Sequence, residues 1–265
     1  MSTEASGTIA TPGVAIASLT VLIIFLAIWQ WIPGLLKVPE FILPPPTKVW
    51  SEFTRMLATE KLFVHTGITA LEVAVGFALG SLLGLAVGCV LGVSPKTELV
   101  LSPYILALQI APKVAFAPLF VMWLGYTVYP KILVAILIVF FPVMVNVLTA
   151  IRTVDPDLVN LARSFSATRW QIFKMIEYPT SMAPLFSGLR IAATLAVIGV
   201  VVGEMVGGNK GLGYLLVFAE GQGNTAMVFV TIIMLTLIGI AAYWLVAWAE
   251  RRVLHYLPRA QHKMV

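Results

Sequence analysis

The stretch Ala226-Met-Val-Phe-Val-Thr-Ile-Ile-Met-Leu-Thr-Leu-Ile-Gly-Ile-Ala-Ala-Tyr-Trp-Leu-Val-Ala-Trp-Ala249 carries no charge in 24 residues and stops at Glu250-Arg251-Arg252. A helix that crosses a bilayer takes about 20 apolar residues, so this run is long enough to span. Five more apolar runs precede it, at roughly 14–32, 66–93, 99–124, 132–151 and 182–206. The fold class expected is therefore an all-α integral membrane protein of about six transmembrane helices, forming one domain over 1–265.

Composition agrees. Of 265 residues, 60% are hydrophobic and 11% charged, with a mean hydropathy of +0.97. Soluble domains carry roughly a quarter of their residues as charges. The single cysteine, Cys89, lies inside an apolar run and allows neither an intrachain disulfide nor a thiol metal cluster. No basic and aromatic stripe recurs on a polar face, which excludes a nucleic-acid surface. The first 13 residues lack Lys and Arg, and the run after them is longer than a signal core, so it reads as a retained first span. Its end, at Trp29 and Trp31, suits a lipid interface.

Charges outside the runs set the expected orientation. Lys96, Arg152, Arg163, Arg169, Lys174, Arg251, Arg252, Arg259 and Lys263 fall on one side. Lys37, Lys48, Arg55, Lys61, Lys131 and Lys210 fall on the other. The first group is the larger, which predicts both termini on the cytoplasmic side.

In the first loop, Leu43-Pro44-Pro45-Pro46 must be extended. Residues 47–60 then form an amphipathic helix with Val49, Trp50, Phe53, Met56 and Leu57 on one face, lying either on the membrane or against the protein's own spans. In the second run, Gly76, Gly80, Gly84, Gly88 and Gly92 recur every fourth residue. They make a nearly side-chain-free stripe on which another helix can pack closely.

The loop between the fourth and fifth runs is too long for a connector. Asp155 is a good N-cap with Pro156 at the first helical position, and Leu158, Leu161, Ala162 and Phe165 line one face. A second helix is expected at Thr168, with Gln171 completing a capping box. The coupling segment 156–177 thus has two short helices bent at Ser166-Ala167, with apolar groups ringed by Arg163, Arg169 and other basic residues. That is the make-up of a docking surface for a soluble partner.

This loop resembles the coupling motif of importer permeases in the ATP-binding-cassette superfamily: Glu-Ala-Ala, three residues, Gly, and later a Leu-Pro-like pair. Ala162 sits at the second alanine, Ser166 at the glycine and Tyr178-Pro179 at the closing pair. Asn160 stands where glutamate is usual and Leu161 replaces the first alanine. Serine enters the left-handed region at a cost, which leaves open whether the bend closes in the usual way. Leu43-Pro44-Pro45-Pro46-Thr47, Ala117-Pro118-Leu119 with Trp123-Leu124-Gly125, Arg152-Thr153-Val154-Asp155-Pro156, and Gly203-Glu204-Met205-Val206-Gly207 followed by Gly211-Leu212-Gly213 extend the resemblance. They are similar to permeases for nitrate, sulfonate and taurine. Gln109-Ile110-Ala111-Pro112-Lys113 looks closest to the thiamine-pyrimidine-precursor and riboflavin branch.

The resemblance implies a binding-protein-dependent importer of the bacterial inner membrane. Its permease would be a homodimer or a pair with a close relative, and a periplasmic or lipid-anchored binding protein would deliver the solute. Two ATPase subunits would dock on Leu158, Asn160, Leu161, Ala162, Arg163, Phe165, Ser166 and Arg169. ATP and Mg would be bound by those partners, with no cofactor and no catalytic residue on this chain. Consistent with that, no Gly-Lys-Ser/Thr triplet occurs. His65, His255 and His262 lie outside the runs with no ligand-like spacing, so no metal site is expected.

Ionisable groups inside spans are costly and default to functional candidates. Glu72 and Lys113 lie at similar depth and are expected either to pair or to snorkel separately to the interface. Arg190 and Glu204 are roughly 21 Å apart on one helix and cannot meet. Glu204 is either a gate residue near the dimer axis or a carboxylate at a wet interface. Gln109 and Asn146 sit beside Pro112 and Pro142 at expected kinks, where they serve freed carbonyls or face solute. Phe116, Trp123 and Tyr126 are either stacking partners for a planar solute or anchors at the membrane interface, the commoner role of aromatics there. A rival reading is an ion-coupled secondary transporter, which usually shows internal repeats and paired broken helices. No convincing repeat relates the halves. A membrane enzyme would need a cluster of reactive side chains at one depth, which the spans lack.

Overall fold

The computed structural model describes residues 12–255; Arg259, His262 and Lys263 lie outside them. The described residues are helical throughout apart from short turns and connections. Two compact units are present, one from 12–62 with 218–230, the other from 63–217 with 231–255.

The first unit holds α1 (Pro12–Leu35) and α2 (Pro46–Thr59). The proline-rich connection between them is tied down by side chains: Trp29 donates its indole N–H to the carbonyl of Pro44 at 3.1 Å, and Gln30 bonds Thr47. On α2, Val49 and Met56 are buried whereas Trp50 of the same expected face is exposed and stacks on Phe53. Glu52 accepts from Arg55 and from Asn224, and the arginine hydrogen bond holds its carboxyl below the usual range.

The second unit is built around α6 (Tyr129–Arg152), clasped between α3 (Leu62–Val93) and α9 (Tyr178–Gly207). Glycine makes this approach possible. A Cβ on Gly76 would fall 2.6 Å from the Cβ of Ala135, and one on Gly84 would fall 2.7 Å from the carbonyl oxygen of Phe140. From the other side a Cβ on Gly199 would meet the Cα of Ala135 at 2.6 Å, and one on Gly203 would meet the Cα of Lys131 at 2.6 Å. Ala135 is thus held between two glycine helices. Val73, Val139, Val143, Val147, Ala192, Ala196 and Val200 fill the spaces between. Where lipid is as apolar as the side chains, such contact supplies the dispersion energy that drives helix association.

The third apolar run is broken at Pro112, where a kink is expected. It is two helices, α4 (Pro95–Ile110) and α5 (Ala117–Leu124), joined by a single 3₁₀ turn at Lys113–Phe116 and bent by 79°. Pro112 explains the break: it forces Ala111 to an extended ψ of 137° and offers no N–H to continue the ladder. Among the described residues five helices are long and apolar enough to cross a membrane, and the bent pair would make a sixth. The remaining long helix, α11 (Thr225–Val253), contains the quoted stretch.

Candidate functional site

Three groups of residues have the geometry of function. The first is the loop after α6. Helix α7 (Pro156–Ser164) begins with the side chain of Asp155 accepting from the N–H of Asp157. It ends with Ser166 at φ 57°, the N–H of Ser166 bonding the carbonyl of Arg163 and that of Ala167 bonding the carbonyl of Ala162. This double bond pattern is the Schellman termination, which normally wants glycine in the left-handed position. Ser166 therefore closes the bend in the usual way, and bears the steric cost. The short α8 (Arg169–Ile172) follows, with Thr168 and Gln171 forming the capping box in both directions. It runs through one π turn into α9, so the loop is mechanically continuous with a membrane-length helix. With both helices fixed at their ends, Leu158, Leu161, Phe165, Trp170 and Met175 stay exposed, Phe165 at 79%. Asn160, Arg163, Ser166 and Arg169 are exposed beside them, and Ala162 is half-buried.

The second group surrounds Glu204, which is 1% exposed and so lies inside the protein, not at a wet interface. Its Oε1 accepts from the Thr69 hydroxyl and its Oε2 from the N–H of Gly213, each at 2.7 Å. Thr69 accepts from the N–H of Leu212 at 2.8 Å, and His65 Nδ1 accepts from the N–H of Gly211 at 3.0 Å. Three successive amides at the start of α10 (Leu212–Gly221) are thus taken by three side chains from α3 and α9. A carboxylate is well placed there, because a helix start presents unpaired N–H groups and partial positive charge. Gly211, at φ 107°, has no room for a Cβ beside the Glu204 carboxylate, and a Cβ on Gly213 would meet the carbonyl of Val201 at 2.6 Å. The Gly-Leu-Gly spacing is what lets the turn sit on Glu204.

Glu204→Ala is expected to loosen this turn. Leaving the buried N–H of Gly213 without its acceptor costs about 1–3 kcal/mol, so the amides of residues 211–213 should exchange with solvent roughly 5- to 100-fold faster. Hydrogen-exchange mass spectrometry checks this. Unchanged exchange would mean that Glu204 does not hold α10.

The third group corrects the expected pair. Glu72 does not meet Lys113; it accepts from Lys131 at 2.7 Å, both residues being 3% exposed. The other oxygen, Glu72 Oε2, is buried without a donor among the described residues. Lys131 is therefore not a loop residue on a wet face, but sits in the first turn of α6 under Gly203. Lys113 instead donates to the carbonyl of Gln109 at 2.5 Å and lies 4.8 Å over the ring of Phe141. Arg190 pairs with Glu250 of α11 at 3.0 Å.

Of the other candidates, Asn146 bonds the carbonyl of Pro142 on its own helix and packs beneath Gly188. Phe116 is half-buried and stacks on Phe120, while Trp123, Tyr126 and Gln109 are exposed. Sequence reasoning missed Thr69 and Lys131 and put His65 outside the membrane helices. His65 is in the first turn of α3, stacked on Tyr214. A signal was present: positions 65, 69 and 72 continue the face of Gly76 and Gly80, so one helix face is polar at one end and glycine at the other. Among the described residues no three potential metal ligands cluster.

Comparison with known proteins agrees with this architecture. Residues 76–255 match the family described as binding-protein-dependent transport system inner membrane component. The chain is 38% identical over 235 residues to the riboflavin transport system permease protein RibX of Chloroflexus aurantiacus, covering 89% of this chain and 88% of that one. It is 34% identical over 233 residues to the putative aliphatic sulfonates transport permease protein SsuC of Bacillus subtilis, covering 88% and 84%. Its fold is similar to a chain in the inward-facing MetNI methionine ABC transporter, with a TM-score of 0.62 at 19% identity over 75% of this chain and 96% of that one. A multi-pass bundle whose motifs and helices match in this way is an importer permease subunit: the chain belongs to the family of binding-protein-dependent transport system inner membrane components.

Proposed function

We propose that this permease subunit forms a homodimer and carries on each copy, at the α7–α8 loop, one of two ATP-binding-cassette ATPase subunits. The observation that carries this reading is the exposed apolar face of Leu158, Leu161 and Phe165, presented on a helix whose two ends are fixed and which is continuous through α8 with α9. An apolar surface held rigid outside the apolar runs suits a protein partner. ATP and Mg bind on that partner, closure of the ATPase pair moves the loop, and α9 transmits the movement into the membrane. This chain performs no chemistry. Solute arrives from a periplasmic or lipid-anchored binding protein, and both termini face the cytoplasm. The relatives named for riboflavin and for aliphatic sulfonates suggest a small organic solute.

The test is purification from the native membrane in mild detergent, with mass spectrometry of what stays bound. An ATPase carrying a phosphate-binding loop is expected with the wild type and is expected to be lost from Ala162→Asp, which puts a charge into the contact. Removal of a central interface contact costs about 2 kcal/mol or more, enough to lower occupancy more than tenfold. If no ATPase accompanies the wild type under conditions that preserve other such complexes, the reading fails.

A further inference from the structure

Arg251 and Arg252 close the apolar run of α11 without an ionic partner. Among the described residues the neighbouring Glu250 pairs with Arg190, and no carboxylate reaches either arginine. Both fold back onto tryptophans of their own helix. The guanidinium carbon of Arg251 lies 5.8 Å from the ring centroid of Trp244, and that of Arg252 lies 5.0 Å from Trp248. Both rings are exposed, as suits an interface between hydrocarbon and headgroups. A guanidinium stacked on a ring keeps its N–H edge free, and that planar fork matches the oxygens of a phosphate.

Trp244 also lines a trench. Helices α9 and α11 run antiparallel, since Arg190 meets Glu250 while a Cβ on Gly239 would lie 3.9 Å from Val197. Between them is a cavity of about 580 Å³, with Val197, Ile198 and Val201 on one wall and Leu235, Gly239 and Ile240 on the other. From Ile232 to Trp244 it follows α11 for about 18 Å at the helical rise. The hydrocarbon of one leaflet is about 15 Å deep, half of a bilayer core. The hydroxyls of Thr194 and Thr236 in its walls donate to the carbonyls of Ile191 and Ile232 on their own helices. Neither is left to hold a polar solute. The trench thus offers hydrocarbon contact over the length of one acyl chain, and Arg251 stands on the ring at its end.

We infer that the α9–α11 trench holds one acyl chain of an anionic phospholipid, whose phosphate sits on Arg251 with Arg252 beside it. The two chemistries belong to one molecule: an apolar chain for the trench and an anionic headgroup for unpaired arginines at the membrane interface. A zwitterionic lipid fills the trench equally well, but its own ammonium opposes the arginines, so the preference lies in the headgroup charge. The lipid packs against α9, the helix that continues from the α7–α8 loop. This site is independent of the transport role proposed above.

The test uses the complex purified from its native membrane in mild detergent, washed free of lipid and reloaded with equal amounts of palmitoyl-oleoyl phosphatidylglycerol and phosphatidylcholine. Mass spectrometry counts each lipid retained per permease chain, and light scattering gives the mass of the complex. The wild type is expected to retain phosphatidylglycerol at least about tenfold over phosphatidylcholine, each arginine at an anionic headgroup being worth roughly fivefold. Arg251→Gln with Arg252→Gln should bring that preference close to parity, and Arg251→Lys with Arg252→Lys should keep most of it. Gly239→Leu, whose Cβ meets no backbone, should exclude both lipids and leave the protein mass unchanged. If that variant aggregates, Thr236→Leu, which narrows the same trench one turn away, decides in its place. Equal retention of the two lipids by the wild type overturns the site. So does an undiminished preference in the glutamine pair, or undiminished retention in the trench variant. A fall to half the protein mass in Gly239→Leu would show that a second copy of this chain fills the trench, and overturns the lipid site as well.

Discussion

Lys131→Met should destabilise the membrane unit by about 3–5 kcal/mol, because it leaves the Glu72 carboxylate buried without its counter-charge. The two side chains are each 4% exposed and meet at 2.7 Å, so water cannot compensate for the lost partner. The damage arises from the orphaned charge, and removing that charge as well should repair most of it. Glu72→Leu combined with Lys131→Met should recover to within about 1–2 kcal/mol of wild type, since replacing a whole buried pair by apolar groups is often neutral. Exchanging the charges, Glu72→Lys with Lys131→Glu, should also rescue in part. Glu72→Lys with Lys113→Glu should not, because Lys113 is held elsewhere, on Gln109 and Phe141. Thermal unfolding in detergent, followed by tryptophan fluorescence or by retention of a monodisperse peak, reads all four variants. A double apolar variant as unstable as the single one would show that the pair does more than neutralise itself.

A comparable loss is expected for Gly199→Leu. Even a Cβ there falls 2.6 Å from the Cα of Ala135, so the new side chain must push α9 away from backbone that cannot yield. Overpacking typically costs about 1–3 kcal/mol for added methylenes; here it also separates helices whose association depends on contact, and the total should reach or exceed that range. Gly199→Ala should show a smaller loss of the same sign. Gly67→Ala is the control: it lies on α3 with nothing within 4 Å of its Cβ, and should be neutral or gain up to about 1 kcal/mol in helix propensity. The same unfolding assay orders the three. If Gly199→Leu melts with wild type, the close approach of α9 to Ala135 is not a determinant of the fold.

Much of the architecture is readable in the amino acids one by one. Uncharged runs longer than a bilayer is thick, such as 226–249, have one stable solution in lipid: a helix that satisfies its own backbone. The glycine stripe of α3 announces a close neighbour, and Asp155-Pro156, Thr168 and Gln171 announce two capped helices, because caps and small-residue faces are local chemistry. Which helix fills the stripe is another matter. Nothing along the chain says that α6 lies against both Gly76 and Gly199, since the partner is chosen by complementary shape between segments some sixty residues apart.

Ion pairing shows the same division. Opposite charges at similar depth suggested Glu72 with Lys113, but depth fixes only one coordinate of a side chain. The 79° bend at Pro112 sets Lys113 over Phe141, and the glycines at 76 and 203 draw Lys131 in beside Glu72. Ser166 was similarly undetermined: its intrinsic preference opposes φ 57°, and the two hydrogen bonds closing α7 outweigh that preference. The sequence by itself thus determined the medium, the number of apolar runs and the capped loop, all of which follow from local composition and periodicity. The Glu204 clamp on α10 and the identity of the charge pairs came from the packing alone, because each depends on how helices distant in the chain meet in space.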